Sequence, residues 1–170
     1  MRNTLIAISL SCLAVLAHAQ TPPVAATPPQ PPAKGPALDL ALEAAKFALE
    51  TCRGLDQKVG VSVVDSAGVL KVLLATDGAA ARGVQNSTYK AQTALAFSTA
   101  TSQLAEQSKT DKALADRFAA NPNLLARAGG IPIKVGSEII GAIGVGGARG
   151  SEKDEACALA GLEKVKSRLN

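Results

Sequence analysis

The chain has 170 residues and a formal net charge of +4, with 18 Lys and Arg against 14 Asp and Glu; aromatic residues make up 2% and tryptophan is absent. The basic residues are scattered, so the charge is too weak to indicate nucleic-acid binding. With so few aromatic side chains, the core must be built from small aliphatic residues and from backbones that approach closely.

The first residues are typical of a secretory signal peptide. One arginine precedes an apolar run over residues 5–17 and the sequence Ala-His-Ala, which is a small-x-small cleavage pattern. We expect residues 1–19 to be removed and the protein to be periplasmic or secreted, with no transmembrane segment in the mature chain, because the run is short for a membrane span. Cleavage would remove the only histidine, His18, and with it any imidazole ligand or base.

The next segment predicts a spacer in front of a single domain. Residues 20–36 contain seven of the nine prolines and favour an extended, polyproline-like tether. Residues 37–170 have the length of one domain. Two cysteines lie within it, Cys52 and Cys157. In an exported chain such a pair indicates a disulfide, and two separate buried thiols are the alternative.

The first half of the domain alternates between helical and strand periodicity. Apolar residues at helical spacing predict a helix over residues 38–53, with Cys52 on its buried side. Two β-rich runs, residues 59–64 and 69–75, flank a group of turn formers and predict a hairpin. Helical patterns follow over residues 84–107 and 111–120.

The second half is predicted to contain another hairpin and a last helix. Strand-like runs over residues 131–135 and 138–145 are joined by Gly-Ser and predict a second hairpin. The last helix is expected over residues 152–169, with Ser151 as its N-cap and Asp154 at capping-box spacing.

Together these elements predict an α/β (α+β) fold. Neither hairpin needs a crossover, so we expect an antiparallel sheet of about five strands flanked by helices, with residues 123–127 as the fifth strand. The terminal helices are expected to pack together. If they pair antiparallel, Cys52 and Cys157 come close to each other.

The glycine-rich stretch "GVGGARG", residues 144–150, resembles a phosphate-binding loop only superficially. Arg149 occupies the position of the third fingerprint glycine, and the helix that follows begins with carboxylates where a phosphate would need a positive dipole end. The glycines are better explained as positions where a helix or another subunit approaches the strand closely. They are Gly141, Gly144, Gly146 and Gly147.

Four motifs in this order resemble the GlcG/HbpS family of small haem-binding domains, which is itself similar to the C-terminal domain of PduO-type proteins. The motifs are "VSVVDSAGVL" (61–70), "KAQTALAF" (90–97), "GGIPIKVGSEIIGAIGVGGA" (129–148) and "KDEACALAGL" (153–162). The resemblance implies a profilin-like fold, haem as cofactor, and dimers or larger rings such as octamers. Some exported members sense haem or redox stress, so a membrane sensor or transporter is an expected partner.

The resemblance directs the search for a site to the helix that contains "KAQTALAF". Without histidine, the phenol of Tyr89 could ligate the haem iron; Thr93, Thr99 and Thr101 are candidates for the threonine ligand found in some relatives. Lys90 could pair with a propionate, and Phe97 could line an apolar pocket. The ordinary alternatives are a solvated lysine and packing roles for both aromatic residues.

Three functions are compatible with these observations. The leading hypothesis is an exported, oligomeric haem- or tetrapyrrole-binding module used for haem or redox sensing or for sequestration, with no catalytic residues. An enzyme that acts on a small acid or on haem, and a protein-binding adaptor without ligand, are the alternatives. Asp65 at a strand end is expected to bind neighbouring backbone amides rather than to act as a base.

Overall fold

The computed structural model describes residues 32–169, so the predicted leader and most of the predicted linker lie outside the described residues. No helix in this range is long and apolar enough to cross a membrane. The elements in chain order are α1 (Leu38–Gly54), β1 (Gly60–Asp65), β2 (Leu70–Ala75), α2 (Ala81–Phe97), α3 (Thr101–Gln107), α4 (Lys112–Ala120), β3 (Gly130–Val135), β4 (Glu138–Gly146) and α5 (Ser151–Val165), followed by a short 3-10 turn (Lys166–Arg168).

The sheet is antiparallel throughout and has the strand order β2-β1-β4-β3. Each predicted hairpin forms, and the two hairpins join edge to edge through β1 and β4. The prediction of a fifth strand is wrong, because the described part of the chain has four strands in this sheet. The segment proposed for the fifth strand is attached to α2 instead, where the Leu125 N–H donates to Thr93 Oγ1 at 2.9 Å.

The first face of the sheet is covered by α1 and α5. A Cβ at Gly161 of α5 would overlap the carbonyl oxygen of Ala44, which shows how closely the two helices approach. Cys52, two turns further along α1, bonds to Cys157, one turn earlier in α5, so the helices run antiparallel. Small aliphatic residues of α1 and α5 pack with the valines and isoleucines of the strands to form the main core.

The second face is covered by α2, whose backbone lies almost directly on the strands. A Cβ at Gly144 would overlap the Ser87 carbonyl oxygen, and one at Gly146 would lie 2.6 Å from the Gly83 carbonyl oxygen. The expectation that these two glycines allow a helix to approach is therefore confirmed. Gly141 lies instead against the backbone of the neighbouring strand β1.

The helix boundaries differ from the sequence prediction at several points, and two of them affect the site. The pattern over residues 84–107 is divided into α2 and α3, because Ser98 adopts a left-handed conformation with φ of 56° and ends α2. Ser151 is the first helical residue of α5 and not its N-cap, which is Gly150 with φ of 104°. The predicted capping box does not form, because the Asp154 carboxylate is used elsewhere.

The turn between β1 and β2 is built as the sequence predicts. Asp65 Oδ1 accepts hydrogen bonds from the backbone N–H groups of Ala67 and Val69 at 2.9 and 3.0 Å. These bonds fix the carboxylate in the turn, so the structural interpretation of Asp65 is confirmed.

Candidate functional site

A buried ion pair joins the helix on one face of the sheet to a helix on the other. Lys90 Nζ of α2 donates to Asp154 Oδ2 of α5 at 2.6 Å, and each residue is only 3% exposed. The second carboxylate oxygen of Asp154 accepts from the Ala148 N–H at 2.9 Å. Gly129 makes room for the pair, since a Cβ there would lie 2.9 Å from both Lys90 Nζ and Asp154 Cβ.

Burial changes the proton affinity of both partners. Loss of solvation lowers the pKa of Lys90 and raises the pKa of Asp154, and the attraction between the two groups opposes both shifts. The nearby Arg127 guanidinium lowers the pKa of Lys90 further, whereas Glu155 raises it. Ionisable groups with shifted pKa values beside a cavity are found at functional sites and also in structural ion pairs.

The ion pair lines a cavity of about 290 Å³ between α2 and the start of α5. Arg82 and Arg127 line the same cavity, and both are exposed. Asn86 of α2 and Ser151 of α5 add neutral polar groups. The cavity therefore combines three cationic side chains with one carboxylate.

A second, more open groove of about 630 Å³ lies along the neighbouring side of α2. It shares Arg82 and Asn86 with the first cavity, and it contains the half-buried Tyr89. The Tyr89 hydroxyl accepts a hydrogen bond from Gln85 Nε2 at 2.9 Å. The apolar lining of the groove comes from Ala81, Pro122 and Leu125.

The candidate site residues predicted from the sequence are distributed over several environments. Tyr89 lines the open groove and Lys90 lines the smaller cavity. Thr93 is fully buried and its Oγ1 accepts from the Leu125 N–H. Thr101 is also fully buried, accepts from the Gly130 N–H at 2.8 Å and donates to the Arg127 carbonyl oxygen at 2.6 Å.

Phe97 lies at the other end of α2. Its ring packs on Phe118 of α4 with 5.3 Å between centroids, and the Arg117 guanidinium carbon lies 4.5 Å from its ring centroid. Phe97 thus fastens α4 to α2, and it lines neither the groove nor the cavity.

Sequence reasoning missed Asp154, Arg82 and Asn86 as site residues. A signal for Asp154 was present in α2, where Ser87, Lys90, Ala91 and Ala94 follow helical spacing and all lie on the buried side. A lysine on a buried helical face requires an acidic partner. Nothing in the local sequence indicated Arg82 or Asn86.

The fold and site define a class of protein: a small α+β domain whose sheet is covered by two helices on one face and, on the other, by a helix that lines a cavity and a groove. The chain belongs to the HbpS-like family, since the family model described as "Haem degrading protein HbpS-like" matches residues 37–163. The resemblance noted in the sequence is thereby confirmed.

Solved structures show the same fold. A crystal structure of HbpS is 31% identical, with a TM-score of 0.72, and the match covers 84% of this chain and 98% of HbpS. Klebsiella pneumoniae ORFY is 22% identical, with a TM-score of 0.73 and coverage of 85% and 99%. PduOC, solved as a haem complex, is 23% identical, with a TM-score of 0.70 and coverage of 76% and 94%. No curated protein sequence matches the chain.

Proposed function

We propose that this protein binds haem in the groove beside Tyr89. Membership of the HbpS-like family carries the proposal, because the family is described by its action on haem and a solved structure with this fold is a haem complex. The groove is the place on α2 where a possible iron ligand, a cation and apolar side chains lie together.

The donor chemistry of the described residues restricts how the iron could be held. Residues 32–169 contain neither histidine nor methionine. Both cysteines in this range are joined in a disulfide, and the hydroxyls of Thr93 and Thr101 are enclosed and already hydrogen-bonded. Among the predicted ligands, Tyr89 is the one that lines an open groove, and tyrosinate is an established haem ligand.

The rest of the groove suits a flat, amphipathic group. Ala81, Pro122 and Leu125 offer apolar contact to a macrocycle, and Arg82 offers two parallel N–H donors to a propionate. When bound, haem would supply a redox-active iron and a visible absorption band. The chain's own contribution is to bind the propionate, to orient the ring and to place the Tyr89 oxygen.

We also propose that the protein is exported and acts in haem or redox sensing or in haem sequestration, as an oligomer with a membrane sensor or transporter as partner. The predicted signal peptide supports export. The Cys52–Cys157 disulfide supports it as well, because disulfides persist mainly in oxidising compartments.

A haemin titration followed by absorbance tests the binding proposal. We expect a saturable shift of the main haem band at about one haem per chain, because small-molecule sites are few per protein. Tyr89→Phe removes the iron ligand while keeping the ring, so it should move the band and weaken binding roughly tenfold or more. Arg82→Gln should weaken binding without moving the band.

The matched control is Arg53→Gln, which removes an exposed guanidinium outside both cavities at the end of α1. It should leave the titration unchanged. A flat or unsaturable titration of the wild-type protein would refute the proposal, and an unchanged band in Tyr89→Phe would refute tyrosinate ligation.

A haem-degrading enzyme is the second candidate, favoured by the description of the family. It predicts that bound haem loses its absorption band when peroxide or a reductant is added, with repeated turnover of added haem. Loss at the same rate for free haemin and for haemin with the protein would exclude it. A stable band under both reagents would leave binding as the function.

A further inference from the structure

The charged side chains that line the smaller cavity are mostly basic. It is lined by three basic side chains, Arg82, Lys90 and Arg127, and by one acidic side chain, Asp154. The Lys90–Asp154 pair is neutral overall whether the shared proton lies on the amine or on the carboxylate. The two exposed arginines therefore leave the lining with a net charge of +2, next to a cavity of about 290 Å³.

We propose that this cavity binds the carboxylate group of a small organic acid. Arg82 and Arg127 supply charge-assisted hydrogen bonds, which are the strongest available to a carboxylate. Asn86 and Ser151 line the same cavity and can donate neutral hydrogen bonds. Lys90 is held by Asp154 at 2.6 Å. Because this pair is neutral overall, the attraction for the carboxylate comes from the two arginines.

The size of the cavity also selects against larger ligands. Pockets for drug-sized molecules span roughly 300–1,000 Å³, so a cavity at the low end of this range suits an acid of few atoms and excludes burial of a whole tetrapyrrole.

A carboxylate at this position can come from two sources. It can belong to a free acid, or it can be a propionate of a haem that lies in the neighbouring groove, because Arg82 and Asn86 line both spaces. The second source rests on the proposed haem function, and the first does not. Arg127 lines only the cavity and Tyr89 lines only the groove, so variants of these two residues separate the sources.

The test is a titration of the isotope-labelled protein with acetate, followed by the backbone amide signals in nuclear magnetic resonance. We expect saturable shifts at residues 147–151, which border the cavity. Arg127→Gln should raise the dissociation constant for acetate about tenfold, the usual consequence of losing one charge-assisted hydrogen bond. Tyr89→Phe and the distant Arg53→Gln should leave it unchanged.

Haemin titrations of the same variants then identify the source. If Arg127→Gln weakens acetate binding but leaves haemin binding unchanged, the cavity is a separate site for a free acid. If it weakens both, and acetate competes with haemin, the carboxylate site serves a haem propionate. The proposal is overturned if acetate shifts no signal at residues 147–151, or if Arg127→Gln binds acetate like the wild type. None of these results depends on Tyr89 or on the iron.

Discussion

The two faces of the sheet are packed by different means. On the α1/α5 face, many small aliphatic side chains form one continuous core, and a disulfide joins the two helices. On the α2 face, the apolar cluster is limited to Val64, Ala91, Ala94 and Ala142, with Leu95 packed against it. Hydroxyl groups fill part of the remaining space, where Ser62 Oγ hydrogen-bonds with Ser87 and Thr88 at 2.7 and 2.8 Å.

This difference indicates which face supplies stability and which supplies the site. Burial of apolar surface is the main favourable contribution to folding, so the α1/α5 face supplies the larger share. The α2 face buries polar groups that must all be paired, and both the cavity and the groove lie along α2. Exposed residues that line the cavity, such as Arg82 and Arg127, can therefore vary without disturbing the main core.

The largest expected effect comes from breaking the ion pair on the α2 face. Lys90→Met leaves the Asp154 carboxylate buried without its partner, and we expect the free energy of unfolding to fall by about 3–5 kcal/mol in urea denaturation. The double variant Lys90→Met/Asp154→Asn removes both charges and should recover much of the loss. A double variant no more stable than Lys90→Met would contradict this prediction, because removing the unpaired carboxylate would then have recovered nothing.

The α1/α5 face is tested by removing the disulfide. Cys52 and Cys157 are separated by 105 residues, so the bond greatly restricts the unfolded chain. Cys52→Ala/Cys157→Ala should lower the free energy of unfolding by about 2–5 kcal/mol. Reductant should destabilise the wild-type protein to a similar extent and leave the double variant unchanged. A wild-type stability that is indifferent to reductant would contradict this prediction.

The glycine contacts on the α2 face give a smaller effect. Gly144→Ala places a Cβ against the Ser87 carbonyl oxygen and the Ala91 amide nitrogen. Both are backbone atoms, so a side-chain rotation cannot relieve the overlap. We expect a loss of about 1–3 kcal/mol in the free energy of unfolding. The control is Gly54→Ala at the end of α1, where a Cβ would meet nothing within 4 Å and stability should be maintained or increased.

The sequence predicted the elements well where the signal was local. Alternating apolar residues placed both hairpins, and helical spacing placed α1 to within a residue at its C-terminal end. The end of the helix after Phe97 was not predicted. Ser98 adopts a positive φ there, and neither glycine nor proline marks the position in the sequence. The sequence predicted a strand after Pro122, because it could not show that the Leu125 N–H donates a hydrogen bond to Thr93 Oγ1.

The site was predicted less completely because its main contact connects distant residues. Lys90 was identified through the family motif and Tyr89 as the only tyrosine of the chain, but the acidic partner of Lys90 lies 64 positions away. Locally, Ser151 and Asp154 match a capping box, and this pattern concealed the tertiary role of the carboxylate. The tertiary structure, rather than any spacing in the sequence, brings Lys90 of α2 and Asp154 of α5 together.

The smallest expected effect concerns an ion pair that reaches solvent on the α1/α5 side. Arg168 lies 2.7 Å from Glu43, and its hydrogen bond and charge lower the pKa of Glu43 in the folded state. The stabilisation is therefore fully present above the ordinary pKa of glutamate, near 4.5, and is lost as the pH falls through the lower pKa of the folded state. Glu43→Gln should lower the thermal midpoint slightly at pH 7 and by less at pH 3, and added salt should reduce the difference, since solvent and salt screen the pair. A difference of equal size at both pH values would assign the effect to packing of the side chain, and it would remove the contrast between this exposed pair and the buried pair of Lys90 and Asp154.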